Sequence, residues 1–95
     1  MLTNAEIQNV VMSIAKQQLG ESAVSKIKIN EDSDLDGKDS LRITIVVKDS
    51  KTKLPGDKLS KIKIAVIDFL QSKGDFRFPY THYSTTAELR AAQSA

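Results

Sequence analysis

Residues 41–47, Leu-Arg-Ile-Thr-Ile-Val-Val, constrain the fold more than any other stretch. Leu41, Ile43, Ile45 and Val47 recur at every second position, the period of a strand with one buried face. Such a strand needs neighbours and a cover for its apolar row, so the rest of the chain must supply both. Two further segments alternate in the same way. Over 25–30, Ile27 and Ile29 are separated by Lys26, Lys28 and Asn30. Over 76–83, Phe76, Phe78, Tyr80 and His82 share one side, and Pro79, with no N–H for a ladder, predicts a strand at a sheet edge.

The helices are marked by their ends. Thr3-Asn4-Ala5-Glu6 is a capping box with Leu2 and Ile7 at the staple positions. Ile7, Val10, Val11 and Ile14 follow at helical spacing, Leu19 extends the apolar side, and Gly20 is a natural stop. Asp57 is placed to cap a second helix that runs to Lys73 and stops at Gly74, and Thr85-Thr86-Ala87-Glu88 repeats the box for a short last helix. The expected order is α-β-β-α-β-α. The first two strands form a hairpin, and the second helix crosses over right-handedly to a parallel third strand. The expectation is one compact α+β domain over residues 1–95, with a three-stranded mixed sheet and the helices packed on one face.

Ninety-five residues support one core, burying about 60–65% of the unfolded chain's surface. The absence of Cys excludes a disulfide framework and thiolate chemistry. Met1-Leu2-Thr3 opens directly into a helix signal, with neither the basic segment nor the apolar run of a signal peptide. No apolar run reaches the roughly 18–20 residues of a membrane span. These features point to a cytoplasmic protein that does not engage a membrane.

The formal charge of +2 conceals a bipolar layout. Glu31, Asp32, Asp34, Asp36 and Asp39 stand against Lys38, whereas Lys48, Lys51, Lys53, Lys58, Lys61 and Lys63 stand against Asp49 and Asp57. Such a pattern bears on partner choice and association rate. The acidic stretch begins like an EF-hand loop, with Asp32, Asp34 and Asp36 at loop positions 1, 3 and 5 and Gly37 at 6. Asp39 then occupies the apolar position 8, Ile43 stands where a bidentate Glu belongs, and the following residues read as strand instead of helix. The stretch is read as an acidic hairpin connection, with Asp32, Asp34 and Asp36 as the candidate cation ligands.

Lys51, Lys53, Lys58 and Lys61 form the candidate footprint for a phosphate backbone, set against a solvated loop with a Pro-Gly turn. No Arg and no aromatic accompanies them, so sequence-specific or single-strand readout is not supported. The α-β-β-α-β order is similar to that of type II KH domains and of the ribosome-binding-factor fold, which would favour RNA. The Gly-x-x-Gly clamp of a KH domain is missing, because Gly56 is a lone glycine before one helix.

Catalysis has little support. His82 is the only histidine, and no Gly-x-Ser-x-Gly turn, His-rich metal spacing or Gly-rich phosphate loop accompanies it. The expectation is a non-enzymatic protein with no cofactor. Arg42 and Arg77 lie opposite the main apolar rows, and in neighbouring parallel strands they would share a face with Thr44 and Thr81 as a small anion patch. Pairing with Asp36, Asp39 or Asp75 is the simpler alternative.

The second helix offers an interface. Leu59, Ile62, Val66, Phe69 and Leu70 form its core stripe. Ile64 lies nearly opposite, among Lys61, Asp68 and Gln71, with Ile67 at the flank. Two β-branched residues off the core stripe suggest a helix-mediated contact, with the chain itself or with another protein.

Asp36-Gly37, then Leu41-Arg42-Ile43-Thr44-Ile45-Val46-Val47, then Gly74-Asp75-Phe76-Arg77-Phe78-Pro79, resembles a family of small bacterial proteins carrying D-G, L-R-I-x-V-V and G-D-x-R-F-P. The resemblance covers residues from about 24 to 89. It implies a binding companion, antitoxin-like, encoded beside helical proteins of the HEPN class. The expected role is a protein-interaction module, or a homo-oligomer, using Ile64 and Ile67 on helix 57–73 and Phe78 and Tyr80 on the edge strand. Nucleic-acid association through lysines 48–63 is the alternative.

Overall fold

The computed structural model describes residues 2–33, 35–48 and 56–94. Its elements are α1 (Asn4–Leu19), β1 (Val24–Ser33), β2 (Asp39–Val47), α2 (Gly56–Ser72), β3 (Phe78–Thr85) and α3 (Thr86–Ser94). The strands form one mixed sheet in the order β1-β2-β3, antiparallel between β1 and β2 and parallel between β2 and β3. The strand with the strictest alternation is therefore the central one, and the Pro79 strand is at an edge.

The core is built on the odd residues of β2. Leu41, Ile43, Ile45 and Val47 are buried against Ile7, Val11 and Ala15 of α1, Ile62, Val66 and Leu70 of α2, and Val24 and Ile27 of β1. Burying one such aliphatic side chain is worth about 1.5–3 kcal/mol, so this two-layer contact dominates the fold. Val46, of opposite parity, is also fully buried, at the end of the sheet where α3 contacts β2 and β3. Gln8 Nε2 donates to the Ile27 carbonyl at 2.8 Å and ties β1 to α1.

Two of the three expected caps form. Glu6 N–H donates to Thr3 Oγ1 at 3.2 Å and Thr3 N–H donates to Glu6 Oε1 at 3.4 Å, closing the box of α1. Glu88 N–H donates to Thr85 Oγ1 at 3.0 Å, which starts α3. Asp57 sits inside the first turn of α2, where its charge complements the helix dipole without capping it.

Strand boundaries differ from the sequence expectation, and β2 begins two residues early, at Asp39. β1 runs past Asn30 to Ser33, so half of the acidic stretch is strand, with Glu31, Asp32 and Ser33 opposite Leu41, Ser40 and Asp39. Cross-strand pairing outweighs the poor strand propensity of Asp there. β3 begins at Phe78 instead of Phe76, because Asp75 and Arg77 turn inward. It then continues to Thr85, keeping parallel register with β2 as far as Val47.

Candidate functional site

The site is organised by a buried ion pair at the exit of α2. Gly74, at φ 75°, ends the helix in the left-handed region that glycine reaches without a Cβ penalty. The chain then drives Asp75 inside, where it is fully buried. Arg77 Nη2 donates to Asp75 Oδ2 at 2.6 Å, and Arg77 Nε donates to Oδ1 at 2.9 Å. The Arg77 and Leu2 backbone N–H groups donate to the same carboxylate at 3.2 and 3.3 Å. Arg77 also donates from Nη2 to the Leu2 carbonyl at 3.1 Å and from Nη1 to Glu31 Oε1 at 3.4 Å. One ion pair thus joins the start of the chain, the far end of β1 and the α2–β3 connection. Hydrogen bonding from the Arg77 guanidinium holds the Asp75 carboxyl down to about 2, and the same bond pushes the Arg77 pKa up.

The inward turn of Asp75, Arg77 and Pro79 sends the intervening residues outward. Phe76 is 79% exposed, Phe78 42% and Tyr80 44%, and His82 is also exposed. The Phe78 and Tyr80 rings lie 4.8 Å apart, tilted by 56°. Lys63 of α2 reaches the Phe78 ring, its Nζ 5.9 Å from the centroid, and links the helix to the aromatic row. Ile64 is 58% exposed on the outer side of α2, and Ile67 is half-buried at its flank. The core side of β3 is made by Pro79, Thr81 and Tyr83, and Tyr83 Oη donates to the Leu59 carbonyl at 3.3 Å. Burial pushes the Tyr83 pKa up.

Register places Arg42 beside Tyr80, and Thr44 beside His82, on the face turned away from α1 and α2. Asp32, Ser33, Leu35, Ser40, Arg42, Tyr80 and His82 line a groove of about 400 Å3 there. Arg42 Nη2 donates to Asp32 Oδ2 at 3.0 Å, so the groove's guanidinium is already neutralised. Among the described residues His82 has neither an ion pair nor a side-chain hydrogen bond, so no acid–base pair is assembled around it.

The anion patch does not form. Thr81 pairs with Ile43 in the register, away from Arg42 and Thr44, and its Oγ1 is buried without a partner among the described residues. Arg77 lies before the strand and is turned inward onto Asp75, and Arg42 is held by Asp32. The difference is one of parity: the aromatic row, the more apolar side of β3 by alternation, faces solvent. Of the cation candidates, Asp32 accepts from Arg42 and from the Ser33 N–H, Asp36 is itself engaged, and Asp34 lies outside the described residues. Of the lysine candidates, Lys58 and Lys61 are exposed on α2, and Lys51 and Lys53 lie outside the described residues. Phe76 was absent from the expected contact residues, although its place between two charged residues at a helix exit was a readable signal.

Among the described residues no helix is long and apolar enough to cross a membrane. No family model matches the chain, and no match is found among curated proteins or solved structures.

Proposed function

We propose that the chain is a non-enzymatic interaction module that docks another protein on the aromatic row of β3, with the outer side of α2 as a second contact surface. One observation carries this. Of the five exposed large hydrophobic side chains among the described residues, Ile64, Phe76, Phe78 and Tyr80 belong to α2, its exit and the edge strand. An aromatic side chain buries about 150–250 Å2 when covered, and clustered exposed aromatics of this kind mark contact sites. β3 is also, like β1, an edge strand with no neighbour on its outer side in the sheet. A partner can therefore meet backbone and side chains together, as in strand addition to a sheet edge.

Charge favours a protein over a polyanion at this surface. The row begins beside the acidic hairpin, where Ser40, next to Asp39, pairs with Phe78 and Glu31 contacts Arg77. Phosphates approaching Phe76 and Phe78 would meet the carboxylates of Glu31 and Asp39, which offset the ammonium of Lys63 over Phe78. The resemblance to antitoxin-like companions fits the same role.

The test is affinity capture of the tagged protein from its native lysate after nuclease treatment, read by mass spectrometry. A stoichiometric protein that survives nuclease and is lost with Phe78→Ser or Tyr80→Ser is the expected result. Capture of nucleic-acid-bound proteins only before nuclease, or equal capture by both variants, would overturn it.

A further inference from the structure

We infer that the outer stripe of α2 is a self-association surface, on which a second copy of this chain packs its own α2 antiparallel about a two-fold axis. This rests on the proposed docking role of α2 and assigns its occupant, leaving the aromatic row to a different protein.

The inference comes from how charge is placed around Ile64. At 100° per residue, Lys61 and Asp68 lie about 60° and about 40° from Ile64, both on the same side, and Ile67 lies about 60° to the other side. Lys61 and Asp68 are both exposed, one turn before and one turn after Ile64. Neither takes part in an ion pair or side-chain hydrogen bond among the described residues. Asp68 has no cation three or four positions away, since Ile64, Ala65, Gln71 and Ser72 occupy those places. Within α2 its charge is unanswered.

A second copy answers it. In an antiparallel helix pair, residues flanking the seam on the same side face each other, and charges there set partner choice and orientation. A two-fold contact is isologous, so Lys61 facing Asp68 of the second copy requires Asp68 to face its Lys61. The two Ile64 side chains meet between these ion pairs, with Ile67 covering the flank. A parallel two-fold pair would instead set Lys61 and Asp68 against the opposite flank of the second helix, where Ser60 and Ile67 lie, and leave both charges unanswered. The charges of α2 thus support one orientation and give the other nothing.

The size of the contact sets its strength. Seventeen residues give a helix about 25 Å long, and one such pair falls at the low end of specific interface areas. The expected dissociation constant is on the order of 10–100 µM.

The experiment is sedimentation of the full chain from about 5 to about 500 µM, a range that brackets this affinity. The wild type is expected to move from 10.5 kDa towards twice that mass. Ile64→Asp abolishes the shift, and Lys61→Glu and Asp68→Lys alone each weaken it by roughly tenfold. An equimolar mixture of the two charge variants regains association, because each then presents the sign the other lacks. All three positions are exposed, and circular dichroism confirms that the variants fold. A wild type that stays monomeric throughout, or association that the mixture does not restore, overturns the inference. If self-association fails while Tyr80→Ser still loses a captured protein, the docking role stands and only the occupant of α2 is wrong. If association holds and no protein is captured, the converse follows.

Discussion

The Asp75 carboxylate and the Arg77 guanidinium, two residues apart, close a buried ion pair at 2.6 Å, and Phe76 between them is turned into solvent. The pair also holds the backbone of Leu2 through both its N–H and its carbonyl. Stability and presentation of the aromatic row are thereby joined in one short segment.

A buried pair of this kind gains little over a well-packed apolar replacement, but removing one partner strands the other charge. Asp75→Asn and Arg77→Met are each expected to cost about 3–5 kcal/mol, lowering Tm by more than about 10 °C in a domain of this size. The double variant should lose much less than the sum. Urea denaturation of the four proteins gives the coupling energy directly, and additive losses would mean that the two side chains act independently.

The same pair sets a response to acid. Asp75 is held at about 2, against an ordinary value of 3.8. Its folded value is depressed, so its contribution, about 2 kcal/mol, is present in full above the unfolded value. It is lost as pH falls from about 4 through about 2. Denaturant midpoints measured from pH 6 to pH 2 should fall most steeply over that window. In Asp75→Asn the fall should be shallower by that amount.

Much of this was legible in the sequence, for physical reasons that differ by element. The β2 alternation, the two capping boxes and Pro79 each report a local rule that tertiary packing then obeys, so the element order and the edge strand followed. The ends of β1 and β3 did not follow. Asp32 is a poor strand residue by propensity, and pairing across the hairpin, where it is opposite Ser40 and bonded to Arg42, keeps it extended. Arg77 reads as a solvated strand arginine until Leu2 and Glu31, which are distant in the chain, are seen to close around it. The facing of the aromatic row was ambiguous, because Phe76-Phe78-Tyr80 is the more apolar parity of that segment. Asp75, an acid with a buried arginine two residues on, drives it outward.

Thr81 marks a place where the core is improvable. Its Oγ1 is buried without a partner among the described residues, and it pairs with Ile43 on the core side. A buried hydroxyl without a hydrogen bond costs about 1–3 kcal/mol, and Val has the same branched shape. Thr81→Val is expected to raise stability by about 1 kcal/mol, a Tm gain of about 4–8 °C measured by calorimetry. An unchanged or lower Tm would mean that the hydroxyl meets water in solution.

Stability and docking should separate at the aromatic row. Phe76 projects into solvent and Phe78 and Tyr80 are more than two-fifths exposed, so truncating them opens no cavity in the core. Phe76→Ser and Tyr80→Ser should change unfolding free energy by less than about 0.5 kcal/mol, the usual range for surface positions. Phe78→Ser should cost slightly more, since it also gives up the contact with Lys63. Ile43→Ala, at the centre of the core, should by contrast lose about 2–5 kcal/mol. Aromatic anchors commonly carry about 2 kcal/mol or more of a protein contact each, so loss of either Phe78 or Tyr80 should weaken partner capture by roughly thirtyfold. Equilibrium unfolding and partner titration on the same four variants test the separation. If the surface variants unfold as easily as Ile43→Ala, the row is part of the core and not a docking surface.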